Sequence, residues 1–156
     1  MRALTSIDEN CSGCRLCEVA CTLRHYNVDN PKKSAVKVYQ RFPKPGLNEP
    51  VFCRQCKSPP CVDACEPRAL SRGRDGVIKI DHSRCDGCGS CAKGCPFGAV
   101  FFHRDQRYPI ICDLCGGEPE CARICPNRAI FYVPEGSLGE NRRTWLVERQ
   151  DLARRI

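Results

Sequence analysis

The stretch Cys11–Cys21, CSGCRLCEVAC, spaces four cysteines as C-x2-C-x2-C-x3-C, and Cys85–Cys95, CDGCGSCAKGC, repeats that spacing. A second group, Cys53, Cys56, Cys61 and Cys65, lies between them, and a fourth, Cys112, Cys115, Cys121 and Cys125, follows. These two open with C-x2-C, insert a longer gap that contains Pro, and close with C-x3-C. All sixteen cysteines of the 156-residue chain fall into the four groups. The likeness extends beyond them: CEPRAL (65–70) is similar to CPNRAI (125–130), and CSGC (11–14) to CDGC (85–88). A tandem duplication, too short to be a solenoid, accounts for it.

Without Cys, only roughly a third of the chain is apolar, thin for a core of this size. Such a chain needs metals or disulfides to hold it together. The opening MRALTSIDEN has neither an apolar signal core nor a twin-arginine pair, and no stretch reaches membrane-span length. A cytoplasmic location is therefore expected, where thiols stay reduced and metal binding is favoured over disulfides; export alongside a partner that carries a signal is the alternative. The formal charge of +7 suggests nucleic acid, but it counts every Cys as neutral. Sixteen thiolates and four doubly charged cluster cores would bring the loaded chain to about −1, so no nucleic-acid partner is expected.

A [4Fe–4S] cube has four irons at tetrahedral corners, each needing one more thiolate. Three cysteines separated by two residues lie on a tight loop that curls round three corners, and the fourth corner is met from elsewhere. In two-cluster ferredoxins the last Cys of each run serves the other cube, and a Pro after it stops the helix. Pro96 and Pro126 occupy that place, whereas Thr22 and Glu66 stand there in the other groups, with Pro67 one step later. Zinc is the competing reading, since four all-thiolate sites would also use sixteen cysteines. Zinc sites, however, join two separate C-x2-C knuckles without a third Cys two residues on. The spacing therefore points to four [4Fe–4S] clusters, and leaves open whether group one pairs with two and three with four, or the groups nest.

His25, His82 and His103 read as surface or supporting residues, with His25 close enough to Cys21 to hydrogen-bond near a cluster. Arg15, Arg54, Lys57, Lys93 and Arg123 lie inside the loops, where positive charge would favour a reduced cluster. No nucleophile–base pair and no Gly-rich phosphate loop stands out, and every group has its full complement of Cys. The chain is thus expected to be an electron carrier and not an enzyme. Strands are predicted at Ala35–Arg41, Val77–Ile80, Ala99–His103, Tyr108–Ile111 and Ile130–Val133, a stiff connector at Pro43–Pro50, and a turn of helix carrying the fourth Cys of each group. Residues 134–156 hold no ligand; Thr144–Ile156 reads as a charged helix with Trp145, Leu152 and Ile156 on one face.

In order and spacing the four groups resemble the four-cluster iron–sulfur subunits of molybdenum and tungsten oxidoreductases, the dimethyl sulfoxide reductase type among them. Similar short chains accompany hydrogenases and carbon monoxide dehydrogenases. CSGCRLCEVACTLRH with NPKKSAVKV, then FCRQCKSPPCVDAC, is similar to small polyferredoxins that accompany tungsten aldehyde oxidoreductases. The resemblance covers about residues 3–133 and implies an α+β fold of two nested ferredoxin-like modules over 1–133, with a C-terminal helical tail at 134–156. Module A would take about 1–30 plus 105–133, and module B about 50–104.

The resemblance also implies the ligand sets. Cys11, Cys14, Cys17 and Cys125 would hold cluster 1; Cys21, Cys112, Cys115 and Cys121 cluster 2; Cys53, Cys56, Cys61 and Cys95 cluster 3; Cys65, Cys85, Cys88 and Cys91 cluster 4. The implied function is relay of single electrons to or from a catalytic tungsten or molybdenum subunit, with a flavin or other redox subunit as a further partner. A freestanding ferredoxin shuttle is the second reading, and a zinc scaffold or nucleic-acid adaptor the third. The tail favours the first, because it offers a docking or self-association surface that a lone shuttle does not need. The short group-four gap and the lack of long insertions depart from the larger family members and put their docking surfaces in doubt here.

Overall fold

The computed structural model describes residues 2–41, 43 and 46–134. The expected helix at Thr144–Ile156 and the rest of the tail after Pro134 lie outside the described residues. Among the described residues, six short strands form three two-stranded antiparallel sheets, and four helices carry cysteines among long loops. β1 (Arg2–Ser6) pairs with β6 (Ile130–Pro134) from Arg2 opposite Pro134 to Ser6 opposite Ile130. β2 (Lys37–Gln40) pairs with β3 (Asn48–Val51), and β4 (Leu70–Arg72) with β5 (Ile78–Ile80).

Several expectations are corrected. Ala99–His103 and Tyr108–Ile111 do not form a strand pair; only Phe101 and Ile110 bridge. The ladder would continue through His103 and Tyr108, but the His103 carbonyl accepts the Gln106 N–H at 2.8 Å and its Nδ1 the Asp105 N–H at 3.2 Å, a local turn that competes with a hairpin. The connector at 43–50 ends in a strand, since Asn48–Val51 lies along β2 with Pro50 in it. A two-stranded ribbon is all edge, so a Pro is tolerated there.

The helices α2 (Pro60–Asp63), α3 (Ser90–Lys93) and α4 (Glu120–Ile124) carry the third cysteine of their groups, not the fourth. In α3 and α4 the fourth falls just beyond because Pro96 and Pro126 disfavour helical backbone in the residue before them, and Cys125 is accordingly extended, at φ −65° and ψ 109°; α2 ends early as well, although Glu66 follows Cys65. In group one Thr22 stands where those prolines are. There α1 (Leu16–Tyr26) runs on through both Cys17 and Cys21 until Asn27 turns left-handed at φ 53°.

α1 packs on α4, and α2 on α3. Two apolar clusters result. One joins Leu4, Val36, Val38, Phe52, Ile110, Leu114 and Ile130 with Cys17, Cys21 and Cys121. The other joins Leu70, Ile78, Ala99 and Val100 with Cys53, Cys61 and Cys91. Cysteine sulfur thus fills places where a larger domain would put aliphatic side chains. Phe52, 1% exposed, is the largest side chain fully buried among the described residues. Replacing Phe52 with Ala should cost about 3–5 kcal/mol through lost burial and an unfilled cavity. A thermal melt of the loaded protein that matches the parent would contradict this.

Candidate metal centre

The four C-x2-C turns share one backbone device. The residue before the second Cys is left-handed in every loop: Gly13 at φ 73°, Gln55 at 49°, Gly87 at 79° and Leu114 at 58°. That conformation costs a residue with a Cβ about 1–2 kcal/mol. Glycine avoids the cost in two loops and also makes room: a Cβ at Gly13 would lie 2.8 Å from Asn48 Oδ1, and one at Gly87 2.7 Å from the Arg107 carbonyl oxygen. Asp86 and Asp113 brace the third and fourth loops, their carboxylates accepting the N–H of Cys88 at 3.0 Å and of Cys115 at 2.9 Å.

A second device follows the fourth cysteines. Arg68 and Arg128 are left-handed at φ 51° and 48°, which aims the next amide back at sulfur. The Ala69 N–H then donates to Cys65 Sγ, and the Ala129 N–H to Cys125 Sγ, each at 3.2 Å. In group one, where no such turn exists, the Ala35 N–H donates to Cys21 Sγ at 3.3 Å from the start of the next segment. Amides aimed at sulfur stabilise thiolate over thiol, and they offset the charge that a cluster brings.

The sulfurs converge in quartets. One cavity is lined by Cys11, Cys14, Cys17 and Cys125, another by Cys21, Cys112, Cys115 and Cys121, and a third by Cys65, Cys85, Cys88 and Cys91. Cys53 lies in the electrostatic field of Cys61, Cys56 and Cys95. All sixteen cysteines are free thiols. Burial pushes the Cys17 and Cys121 thiols up to about 12, those of Cys53 and Cys91 up to about 11, and that of Cys112 well above its ordinary value. For Cys17 the Glu18 carboxylate adds to the effect, and for Cys121 the neighbouring Cys21 does. Empty, these thiols keep their protons at neutral pH; only a bound cationic core makes them thiolates, so loading releases protons. Four sulfurs around one point, with amides aimed at some of them, fit a cubane.

The quartets also adjoin one another. Cys17 acts on Cys121, Cys53 on Cys112, and Cys61 on Cys91. Taken in turn, these electrostatic couplings link the quartets one to the next in a file, and the exposed cysteines, Cys14 and Cys88, belong to the first and the last.

Several side chains beside the sulfurs have defined partners. His25 Nε2 lies 3.5 Å from Cys115 Sγ and 3.4 Å from Asp113 Oδ1, so the expected contact beside the Cys21 group is made to a sulfur of group four. His82 stacks on Tyr108 with ring centroids 4.3 Å apart, and His103 is buried. Of the loop cations, Arg123 pairs with Glu120 at 2.6 Å, and Arg54 lies over the rings of Phe52 and Phe97. Glu18, 3% exposed between Cys17 and Cys21, accepts the Val38 N–H at 2.7 Å. Sequence reasoning missed Glu18 and Gln55, because a charged or amide residue inside a cysteine loop looks like surface until its partner arrives from a distant segment.

No helix among the described residues is long and apolar enough to cross a membrane. Residues 46–135 match the model of a 4Fe-4S dicluster domain, and residues 8–27 that of a 4Fe-4S binding domain. The chain is 42% identical, over 67% of its own length and 60% of the other's, to a polyferredoxin-like subunit of an aliphatic sulfonate oxidoreductase from Pyrococcus furiosus. It is 35% identical, over 58% of its length and 53% of the other's, to the electron transport protein HydN of Escherichia coli. It therefore spans between half and two thirds of these relatives. Among solved structures, a chain of the active-site complex BamBC of benzoyl coenzyme A reductase matches 96% of this chain and 90% of its own, with a TM-score of 0.51 and 25% identity. With the larger match covering more than half of its residues, the chain belongs to the 4Fe-4S dicluster family of ferredoxin-type iron–sulfur proteins.

Proposed function

We propose that this chain is the electron-transfer subunit of an oxidoreductase complex and relays single electrons through four [4Fe–4S] clusters. The observation that carries the reading is the file of four thiol quartets with one exposed cysteine at each end. In this reading Cys11, Cys14 and Cys17 share a cube with Cys125, and Cys112, Cys115 and Cys121 share one with Cys21. Cys53, Cys56 and Cys61 are joined by Cys95, and Cys85, Cys88 and Cys91 by Cys65. The residues of 1–30 and 105–133 then make one module and those of 50–104 the other.

Each cluster, when bound, takes up or gives one electron at a time. The chain's own residues hold the sulfurs, exclude water from them and supply the amides that set their affinity for negative charge. Cys14 and Cys88 mark where electrons enter and leave, and a two-electron oxidation on the partner is divided into single steps on the way. The partner is a catalytic subunit of the molybdenum or tungsten class, which the wording between the cysteines favours; a flavin subunit would serve as a further donor or acceptor. Residues 134–156 are assigned to docking or self-association. The reading favours the cytoplasm, whose reducing conditions keep cysteines available for metal.

Iron and acid-labile sulfide analysis of anaerobically purified protein tests the reading. Roughly sixteen irons and as many sulfides per chain are expected. Zinc without sulfide would overturn it.

A further inference from the structure

Gln55 holds the left-handed position of its C-x2-C turn although it carries a side chain there, where groups one and three use Gly13 and Gly87. Leu114, the other such residue with a side chain, buries it in the apolar cluster. Gln55 uses its side chain differently. Its Nε2 donates to the carbonyl oxygen of Cys112 at 2.6 Å, and its Oε1 accepts the N–H of Ile78 at the start of β5, at 2.8 Å. Both ends of the amide are thereby satisfied, one by group four and one by the hairpin beside group two. Cys112 is also the residue that packs against both apolar clusters, and its thiol lies in the field of Cys53. The amide therefore ties the second cysteine loop to the fourth at the place where the two halves of the file meet.

We infer that Gln55 is the positioning residue for electron passage between the halves. Its hydrogen bond fixes the Cys112 loop against the Cys53 loop and gives a short bonded route from one to the other: along the backbone from Cys53 to Gln55, through the amide, and across to the Cys112 carbonyl. One electron leaves one half and enters the other, so that one cube is oxidised and its neighbour reduced by one; no bond is made and no proton moves. The inference rests on the four-cluster reading above.

The test uses the full-length loaded protein with Gln55→Gly and Gln55→Glu. Glycine removes the amide while relieving the left-handed strain, so the turn is kept. Glutamate keeps an acceptor for Ile78 but sets an oxygen against the Cys112 carbonyl. Both variants should retain the parent's iron and sulfide content. Both should equilibrate several-fold more slowly between the halves after a rapid one-electron pulse, and show weaker magnetic coupling between the two central cubes in the EPR spectrum of the fully reduced protein. Parent-like equilibration and coupling in Gln55→Gly would overturn the inference, as would loss of a cube from both variants, which would assign Gln55 to cluster retention instead. A parent protein with fewer than four cubes would fail the four-cluster reading itself, and this inference with it; full iron content with unchanged coupling defeats the inference alone.

Discussion

Replacing Cys14 and Cys125 together with Ala should remove one cube and leave three, lowering iron from roughly sixteen to roughly twelve per chain. The two residues stand far apart in sequence but line one cavity, with Cys11 and Cys17. Under the nested scheme the double variant leaves a single cube with two thiolates, too few to hold it, and the other three cubes are untouched. Under sequential pairing, group one with two and three with four, the same substitutions would strike two different cubes, each keeping three thiolates. Iron analysis and EPR of the reduced double variant distinguish the outcomes. Loss of one cube's signal with three unaltered supports nesting, whereas two altered signals refute it. The comparison with each single variant adds a check, because damage within one cube is strongly non-additive and damage to two separate cubes sums.

Extraction of iron by an anaerobic chelator should unfold the protein outright. Six of the buried apolar side chains are cysteines, Cys17, Cys21, Cys53, Cys61, Cys91 and Cys121. The three sheets have two strands each and none exceeds five residues, and such ribbons are marginal in water on their own. α2 and α3 are single turns, far below the length at which a helix persists alone. Removing the cubes would also leave thiols that burial forces to stay protonated. Far-UV circular dichroism and a thermal melt before and after chelation read the result. Loss of the cooperative transition is expected; an iron-free chain that melts as sharply as the loaded one would defeat the claim that the clusters are the core.

The metal-binding groups were legible because ligand chemistry is local: three sulfurs on a tight loop need fixed short spacings, and the sequence displays them. The α+β class followed from the same loops and the β-branched segments between them. What spacing did not disclose was which loop faces which fourth cysteine, for that depends on chain closure. Closure runs through β1, whose RALTS has little strand character, and through the packing of α1 on α4. β3 was hidden by Asn48 and Pro50, residues that strands usually avoid, and β4 by its sequence LSR, which has none of the β-branched residues that revealed the equally short β5. The displaced fourth cysteines were readable in principle, since Pro96 and Pro126 were already in view and the residue before a proline resists helix. Gln55 and Glu18 carried no signal at all, because each acquires its role from a backbone group far along the chain, Cys112 for one and Val38 for the other.

The pairing of Ser6 with Ile130 and of Arg2 with Pro134 has a consequence for biosynthesis. On the ribosome β1 is made long before β6 and waits, unpaired, until Ile130–Pro134 follow. α1 waits likewise for α4. The segments from Cys53 to Cys95 can meet their partners while translation continues, so maturation proceeds from the inside outward. Cys11, Cys14 and Cys17 wait longest for their fourth sulfur, Cys125, and it is there that a nascent chain most needs protection from stray copper, zinc or oxygen.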